Sequence, residues 1–159
     1  MTEKQRLQFT NAYMISSLKY GVQFLVGKTH SVRYSYHSAT MMVARWVKGG
    51  YCFRTSCYQI CKSIGWDIPS QQIMKEAIKF AHDIYISRRP IQILQKIRLP
   101  RTRNTAKLSL KYRKNNEKYQ RNLIVQSISL YNMIPDDMKL LTPKRFKNAL
   151  KKQWIIKPD

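Results

Sequence analysis

Asp136 and Asp137 are the adjacent residues in this 159-residue chain whose types and spacing most suggest catalysis. Two-metal nucleotidyl transfer needs carboxylates that converge on ions about 3.5–4 Å apart. Polymerases commonly place such a pair on a β-hairpin and add a third aspartate from a distant strand. Here Pro135 precedes the pair, no alternating strand pattern flanks it, and no third aspartate lies in a strand pattern. Because a helix N-terminus favours carboxylates, we predict that the pair opens a helical turn and has no catalytic role.

The cysteines and histidines do not form a recognisable site. Cys52, Cys57 and Cys61 are an odd set in a chain without a secretory signal, which predicts reduced thiols in an intracellular compartment. Cys57 and Cys61 lie four residues apart, but zinc would need two further ligands, and the histidines show no paired spacing with them. Phosphate-loop and nucleophile-elbow motifs are also missing. We therefore predict buried structural thiols, no metal site, no cofactor and no enzymatic activity.

Charge is the property that separates this chain from an average globular protein. It has 30 Lys and Arg against 8 Asp and Glu, a formal net charge of +22, and a hydrophobic fraction of 43% that can form a core. Self-repulsion at this charge density favours a polyanionic partner. Nucleic acid is the expected partner, with RNA favoured, because each neutralised phosphate also releases a condensed counterion.

A membrane surface is the rival polyanion, and the sequence disfavours it as a partner. No run of about 18 apolar residues is present, and the first residues lack the apolar region of a signal peptide. We predict an intracellular location, with the mitochondrion and the nucleus left as alternatives.

Apolar spacing, together with glycine and proline positions, predicts a mainly α-helical fold of five to seven helices. The second helix is predicted to bury Val32, Tyr36, Ala39, Val43 and Trp46. The last helix should begin at Pro143 and bury a stripe of Phe146, Leu150 and Trp154. The predicted helices cover residues 4–26, 31–48, 55–64, 69–86, 90–97, 123–133 and 143 onwards.

Residues 96–121 differ from the rest of the chain in composition. They include ten Lys or Arg and one acid, Glu117, with few apolar residues. This predicts a basic arm with a short strand over residues 106–112, where Leu108 and Leu110 alternate with polar residues. Cations that track phosphates, and tyrosines that stack on bases, are the side chains such an arm would use. The candidate nucleic-acid-binding residues, including those before the arm and on the last helix, are Arg88, Arg89, Lys96, Arg98, Arg101, Arg103, Lys107, Lys111, Tyr112, Arg113, Lys114, Lys118, Tyr119, Arg121, Lys144, Lys147, Lys151 and Lys152.

Several stretches of the chain, in collinear order, carry a family resemblance. The first two are NAYMISSLKYGVQFLVG at residues 11–27 and ARWVKGG at 44–50. They are similar to the helix that opens the thumb, and to the end of the next helix, in reverse transcriptases from non-LTR (LINE-like) retrotransposons. CYQICKSIGWDIPSQQ at 57–72 is similar to the following segment. YNMIPDD at 131–137 and FKNALK at 146–151 resemble the family's closing turn and helix, with Tyr131 in place of the usual Trp and Ile134 in place of Leu.

The resemblance implies the nucleic-acid-gripping end of such an enzyme and not its active site, since no counterpart of the fingers and palm is present. We predict a helical bundle over residues 1–97, a basic arm over 98–121 and helices that pack back over 122–159. The expected function is a non-catalytic module that binds the backbone of RNA or an RNA-containing duplex. The alternative is a structural rRNA-binding protein of an organellar ribosome or another ribonucleoprotein, with protein neighbours in that particle.

Overall fold

The computed structural model describes residues 1–49, 55–88, 90–98, 107–111 and 120–153. It is mainly α-helical, as the sequence predicts, with one two-stranded antiparallel ribbon in the described residues. The chain divides into two compact units, Met1–Ile73 and Met74–Asp159. The first is called unit 1 and the second unit 2.

Unit 1 is built from short helical segments around one longer helix. The segments are α1 (Glu3–Phe9), a π-helical turn (Thr10–Met14), α2 (Ile15–Lys19), a 3₁₀ turn (Val22–Leu25), α3 (His30–Lys48) and α4 (Cys57–Ser63). Helix α5 (Pro69–Ser87) follows, and the division between the units falls within it. The core of unit 1 joins α3 to α4 and comprises Met41, Ala44, Val47, Ile60, Cys61 and Ile64, with Leu7, Cys57, Trp66 and Ile68 at its edge.

Local hydrogen bonds explain where several of these helices begin and end. Ser56 caps α4 through a capping box with Gln59, and Gly65 follows that helix in the left-handed region at φ +73°. The single helix predicted over residues 4–26 is wrong, because the chain leaves helical geometry after Lys19. Gly21 adopts φ +71°, which an L side chain rarely tolerates, and a 3₁₀ turn replaces the predicted last turns.

The buried face of α3 also differs from the predicted one. Val32 and Trp46 are each 43% exposed, whereas Thr40, Met41, Ala44 and Val47 are buried. The Thr40 hydroxyl donates to the Tyr36 carbonyl oxygen at 2.9 Å, so this polar residue enters the core with its donor satisfied. The face of α3 that packs in the core is therefore the one that carries Met41 and Val47, and not the one that carries Val32 and Trp46.

Unit 2 surrounds a second core. After α5 come α6 (Ile91–Leu94), strand β1 (Ile97–Arg98), strand β2 (Ser109–Leu110), α7 (Leu123–Asn132), α8 (Asp136–Lys139) and α9 (Pro143–Gln153). Its buried residues come from strand β1 and the residue before β2, from four helices and from the turn between α7 and α8: Ile78, Ala81, Ile84, Ile97, Leu108, Ile128, Tyr131, Ile134, Met138, Phe146 and Leu150. Phe146 and Leu150 confirm the predicted stripe of the last helix, and Trp154 lies outside the described residues.

One feature of unit 2 differs from the sequence expectations. The helix predicted over residues 90–97 ends at Leu94, and Ile97 and Arg98 form a strand. Residues 78–97 share a core with Ile128, Tyr131 and Phe146. The second half of α5 thus buries its apolar side chains against residues more than 40 positions later, a pairing that local periodicity does not reveal.

Candidate nucleic-acid interface

The β1–β2 ribbon presents two chemically different faces. The strands pair antiparallel, with Ile97 opposite Leu110 and Arg98 opposite Ser109. Since side chains alternate along a strand, Ile97, Leu108 and Leu110 share one face. Ile97 and Leu108 are 3% and 1% exposed, and Leu110 packs against the same core. The ribbon therefore covers the core of unit 2 with its apolar face.

The opposite face of the ribbon carries four exposed cations: Lys96, Arg98, Lys107 and Lys111. The Lys111 N–H donates to the Lys96 carbonyl oxygen at 2.9 Å, which extends the pairing by one residue and sets these two lysines across from each other. Like charges directly opposite one another on a ribbon are destabilising. In the described part of the chain, none of the four side chains forms an ion pair. We call these four residues the ribbon cations.

Asn132, the last residue of α7, holds β2 in place. Its Oδ1 accepts from the Leu108 N–H at 3.0 Å, and its Nδ2 donates to the Leu108 carbonyl oxygen at 2.8 Å. The side-chain amide thus bonds the backbone as a neighbouring strand would. Lys107 and Lys111 flank this anchor, so Asn132 positions half of the ribbon cations. Nothing in the sequence marks this residue as functional, because asparagine is common at the end of a helix.

A second basic surface lies along α9. Phe146 and Leu150 are fully buried, while Lys144, Lys147 and Lys151, spaced by three and four residues, are exposed. The Lys147 Nζ lies 3.9 Å from Asp83 Oδ2, and both side chains are about half exposed, so this pair contributes at most about 1 kcal/mol. The three lysines remain available to an anion in solvent.

Arg88 ends α5 in an unusual conformation. Its φ is +56°, and it is the one non-glycine residue with positive φ in the described part of the chain. Its guanidinium lies 5.3 Å from the centroid of the Tyr85 ring, as in a cation–π contact. The side chain is exposed, close in sequence to the ribbon, and its strained backbone costs on the order of 1 kcal/mol.

The structure describes only part of the predicted binding set. The ribbon brings four of the predicted residues together, α9 aligns three more, and Arg88 and the exposed Arg121 lie on helix-flanking segments. The side chain of Lys152 is not described, although α9 includes its backbone. The remaining predicted residues lie outside the described residues: Arg89, Arg101, Arg103, Tyr112, Arg113, Lys114, Lys118 and Tyr119.

The Asp136–Asp137 pair opens α8, as the sequence predicts, and both carboxylates lie in its first turn. Asp136 Oδ1 accepts from Lys139 Nζ at 2.8 Å, and that lysine is only 3% exposed. Lys139 Nζ also lies 5.7 Å from the centroid of the Tyr131 ring. Asp136 therefore stabilises a buried ammonium group. Within the described ranges, no group of three or more His, Cys, Asp or Glu could hold a metal ion.

Burial changes the pKa of groups in both cores. His82 is stacked on Phe146, with ring centroids 3.8 Å apart, and burial lowers its pKa, which favours the neutral imidazole. Burial raises the pKa of the Tyr131 hydroxyl. In unit 1, burial raises the pKa of Cys61 to about 12, and that of Cys57 also rises. Both cysteines lie against Met41, at Sγ–Sδ distances of 3.8 Å for Cys61 and 3.0 Å for Cys57.

The comparisons with known proteins returned no similarity: no protein-family model, curated protein or solved structure matches the chain. None of the described helices has both the length and the apolarity to cross a bilayer.

Proposed function

We propose that the protein is a non-catalytic nucleic-acid-binding module whose ribbon cations contact the phosphate backbone of RNA or an RNA-containing duplex. The observation that carries this proposal is the cross-strand placement of Lys96 and Lys111 on a face with two further cations and no described ion pair. Such a face repels itself in the free chain. A bound phosphate backbone would remove that repulsion and release counterions from the nucleic acid.

The geometry of the ribbon favours contact with a backbone over contact with bases. Residues two apart on a strand are roughly 6.6 Å apart, and neighbouring strands are about 4.8 Å apart, so the four cations form a compact patch. Lysine and arginine supply only donors, and phosphate oxygens are acceptors. Recognition of this kind positions a protein on nucleic acid and carries little sequence information.

The anchoring of the patch supports a fixed interface. Leu108 and Ile97 bury the inner face of the ribbon, and Asn132 bonds the backbone of Leu108, the residue before β2. A surface whose backbone is held in this way loses less conformational entropy on binding than a free basic arm would. The resemblance to retrotransposon reverse transcriptase thumbs is consistent with the same function, since a thumb grips the backbone of a duplex.

A salt titration tests the proposal. The variant Lys96→Gln, Arg98→Gln, Lys107→Gln, Lys111→Gln removes four phosphate contacts, so the slope of log K against log salt should flatten by about 3 units, at 0.7–0.9 per contact. The probes are a 16-base-pair RNA duplex and an RNA–DNA hybrid of unrelated sequence.

A matched control separates the patch from the bulk charge of the protein. Replacing the exposed cations Lys19, Lys28, Arg33 and Lys62 by glutamine gives the same change in net charge within unit 1. The control should alter the slope by less than about 1 unit. Equal flattening in both variants would mean that charge alone, and not the ribbon, drives binding. If the unmodified chain binds neither probe in a salt-dependent way, the proposed function is refuted.

The ribosomal alternative makes a different prediction for the free protein. A protein embedded in rRNA orders its basic segments only on the RNA, whereas the proposed module has two buried cores of its own. Cooperative thermal unfolding of the RNA-free chain is therefore expected from the module. A free chain without a cooperative transition would favour the ribosomal assignment.

A further inference from the structure

Unit 1 exposes a cluster of aromatic rings that its core does not use. Phe9, Tyr13 and Trp46 are 45%, 68% and 43% exposed. The Phe9 and Tyr13 ring centroids are 5.1 Å apart, and those of Phe9 and Trp46 are 6.2 Å apart, so the three rings form one contiguous patch. We call these three residues the aromatic platform.

Contacts between α1 and the end of α3 hold the platform in place. Arg6 Nε donates to the Val47 carbonyl oxygen at 2.9 Å, and Lys48 pairs with Glu3 at 2.7 Å. Gly49 ends α3 at φ +71°, and a Cβ there would lie 2.3 Å from the Arg6 guanidinium. The backbone of Phe9, one turn after Arg6, is thereby fixed beside that of Trp46. The platform is a preorganised surface and not a set of independent side chains.

The charge of unit 1 indicates the kind of molecule that could cover the platform. Residues 1–73 contain nine Lys or Arg and two acids, Glu3 and Asp67, and Glu3 is paired with Lys48. A ligand with a flat aromatic face and a negative charge satisfies both features. Unpaired nucleotides combine the two, and stacking on aromatic side chains tolerates any base. A second copy of this chain is disfavoured, because each copy carries a formal charge of +22.

We propose that the aromatic platform stacks on the bases of a single-stranded segment of RNA or DNA, without sequence preference. This inference rests on the proposed function, since it assigns a second contact to the same class of partner. The ribbon cations bind the sugar-phosphate backbone, and the platform takes bases that are free of a duplex.

Two probes separate the platform from the ribbon cations: a 12-nucleotide oligouridylate and a blunt RNA duplex. Tyr13→Leu and Trp46→Leu keep the apolar surface but remove the π face. Each should weaken binding of the oligouridylate by about 5- to 150-fold, the range of a lost base stack. Binding of the blunt duplex should change by less than about 2-fold. Tyr20→Leu is the matched control, because Tyr20 is 90% exposed in the same unit and outside the cluster.

Rescue and fluorescence keep the test decisive if a leucine variant folds poorly. Trp46→Phe retains a π face and should bind within about 3-fold of the unmodified chain. In a Trp66→Phe, Trp154→Phe background, Trp46 is the remaining tryptophan, and its fluorescence should be quenched by saturating oligouridylate.

The outcomes distinguish the two proposals. One outcome would refute the platform proposal and not the ribbon proposal. In that outcome the duplex binds with a salt dependence, the leucine variants bind oligouridylate as tightly as the unmodified chain, and oligouridylate does not change the Trp46 fluorescence. Oligouridylate binding that Tyr20→Leu weakens as much as Tyr13→Leu does would also overturn it. If the unmodified chain binds neither oligouridylate nor the duplex, both the proposed function and the platform proposal are refuted.

Discussion

Replacing Asn132 by alanine should loosen the ribbon from unit 2 and weaken nucleic-acid binding at the same time. The Asn132 side chain makes two hydrogen bonds to the backbone of Leu108, at 3.0 and 2.8 Å. Alanine makes neither hydrogen bond, so the Leu108 N–H and carbonyl lose the side-chain amide that they bond. The neighbouring cations Lys107 and Lys111 then lose their fixed position.

The magnitude follows from the two groups that lose a partner. A buried backbone donor or acceptor left unsatisfied costs about 1–3 kcal/mol. Because Asn132 is only partly buried, water can compensate in part, and we expect a loss of about 2–4 kcal/mol in the free energy of unfolding. If Lys107 and Lys111 no longer contribute fixed phosphate contacts, the slope of log K against log salt should flatten by about 1.5 units.

Urea unfolding followed by circular dichroism measures the first effect, and a salt titration with the 16-base-pair RNA duplex measures the second. Asn148→Ala is the matched control, because Asn148 is exposed on α9, and it should change stability by less than about 0.5 kcal/mol. A variant at position 132 as stable as that control would refute the anchoring. Lost stability with an unchanged salt slope would show that the anchor serves the fold alone.

Three further predictions concern single groups. Because burial lowers the pKa of His82 in the folded protein, the unfolded chain binds more protons than the folded chain near and below pH 6.5, the ordinary pKa of histidine. The free energy of unfolding should therefore fall by up to about 1.4 kcal/mol between pH 7.5 and pH 5.5. Urea titrations at the two pH values should show this loss in the unmodified chain and not in His82→Gln. Arg88→Gly should be about 1 kcal/mol more stable than Arg88→Ala in thermal unfolding, since both lose the guanidinium and only glycine relieves the positive φ; equal stability would contradict the strain. Asp136→Asn should cost about 1–3 kcal/mol by the same urea assay, because it leaves the buried Lys139 ammonium without its carboxylate, and Asp137→Asn should cost less than about 1 kcal/mol.

Short-range signals predicted many element boundaries. Ser56 before α4, Pro69 at the start of α5 and Pro143 at the start of α9 all act within one helical turn, so their effect can be read along the chain. The helical turn opened by Asp136 is predictable for the same reason. Gly21 is the instructive failure. The apolar stripe typical of a helix continues past Gly21, but the helix does not, because this glycine adopts a left-handed backbone conformation.

The candidate sites were less predictable than the helices. The sequence indicated that Lys96, Arg98, Lys107 and Lys111 belong to a basic segment, but not that they share a face. That fact depends on the register between β1 and β2 and on Asn132, which lies 24 residues from its partner Leu108. The aromatic platform is a similar case. Trp46 was predicted to be buried, and its exposure follows from the rotation of α3 about its own axis.

The sequence by itself determined the helical class, most helix ends and the excess of positive charge, because composition and capping act through neighbouring residues. Only the tertiary structure decided which side of α3 is buried, which strands pair and which polar groups enter the cores. His82 shows the reason: its place against Phe146, 64 residues later, depends on how α5 and α9 pack, and packing sums many weak contacts between distant segments. Charge is a property of each residue, whereas a binding surface requires a common face, and that face exists only once the chain has folded.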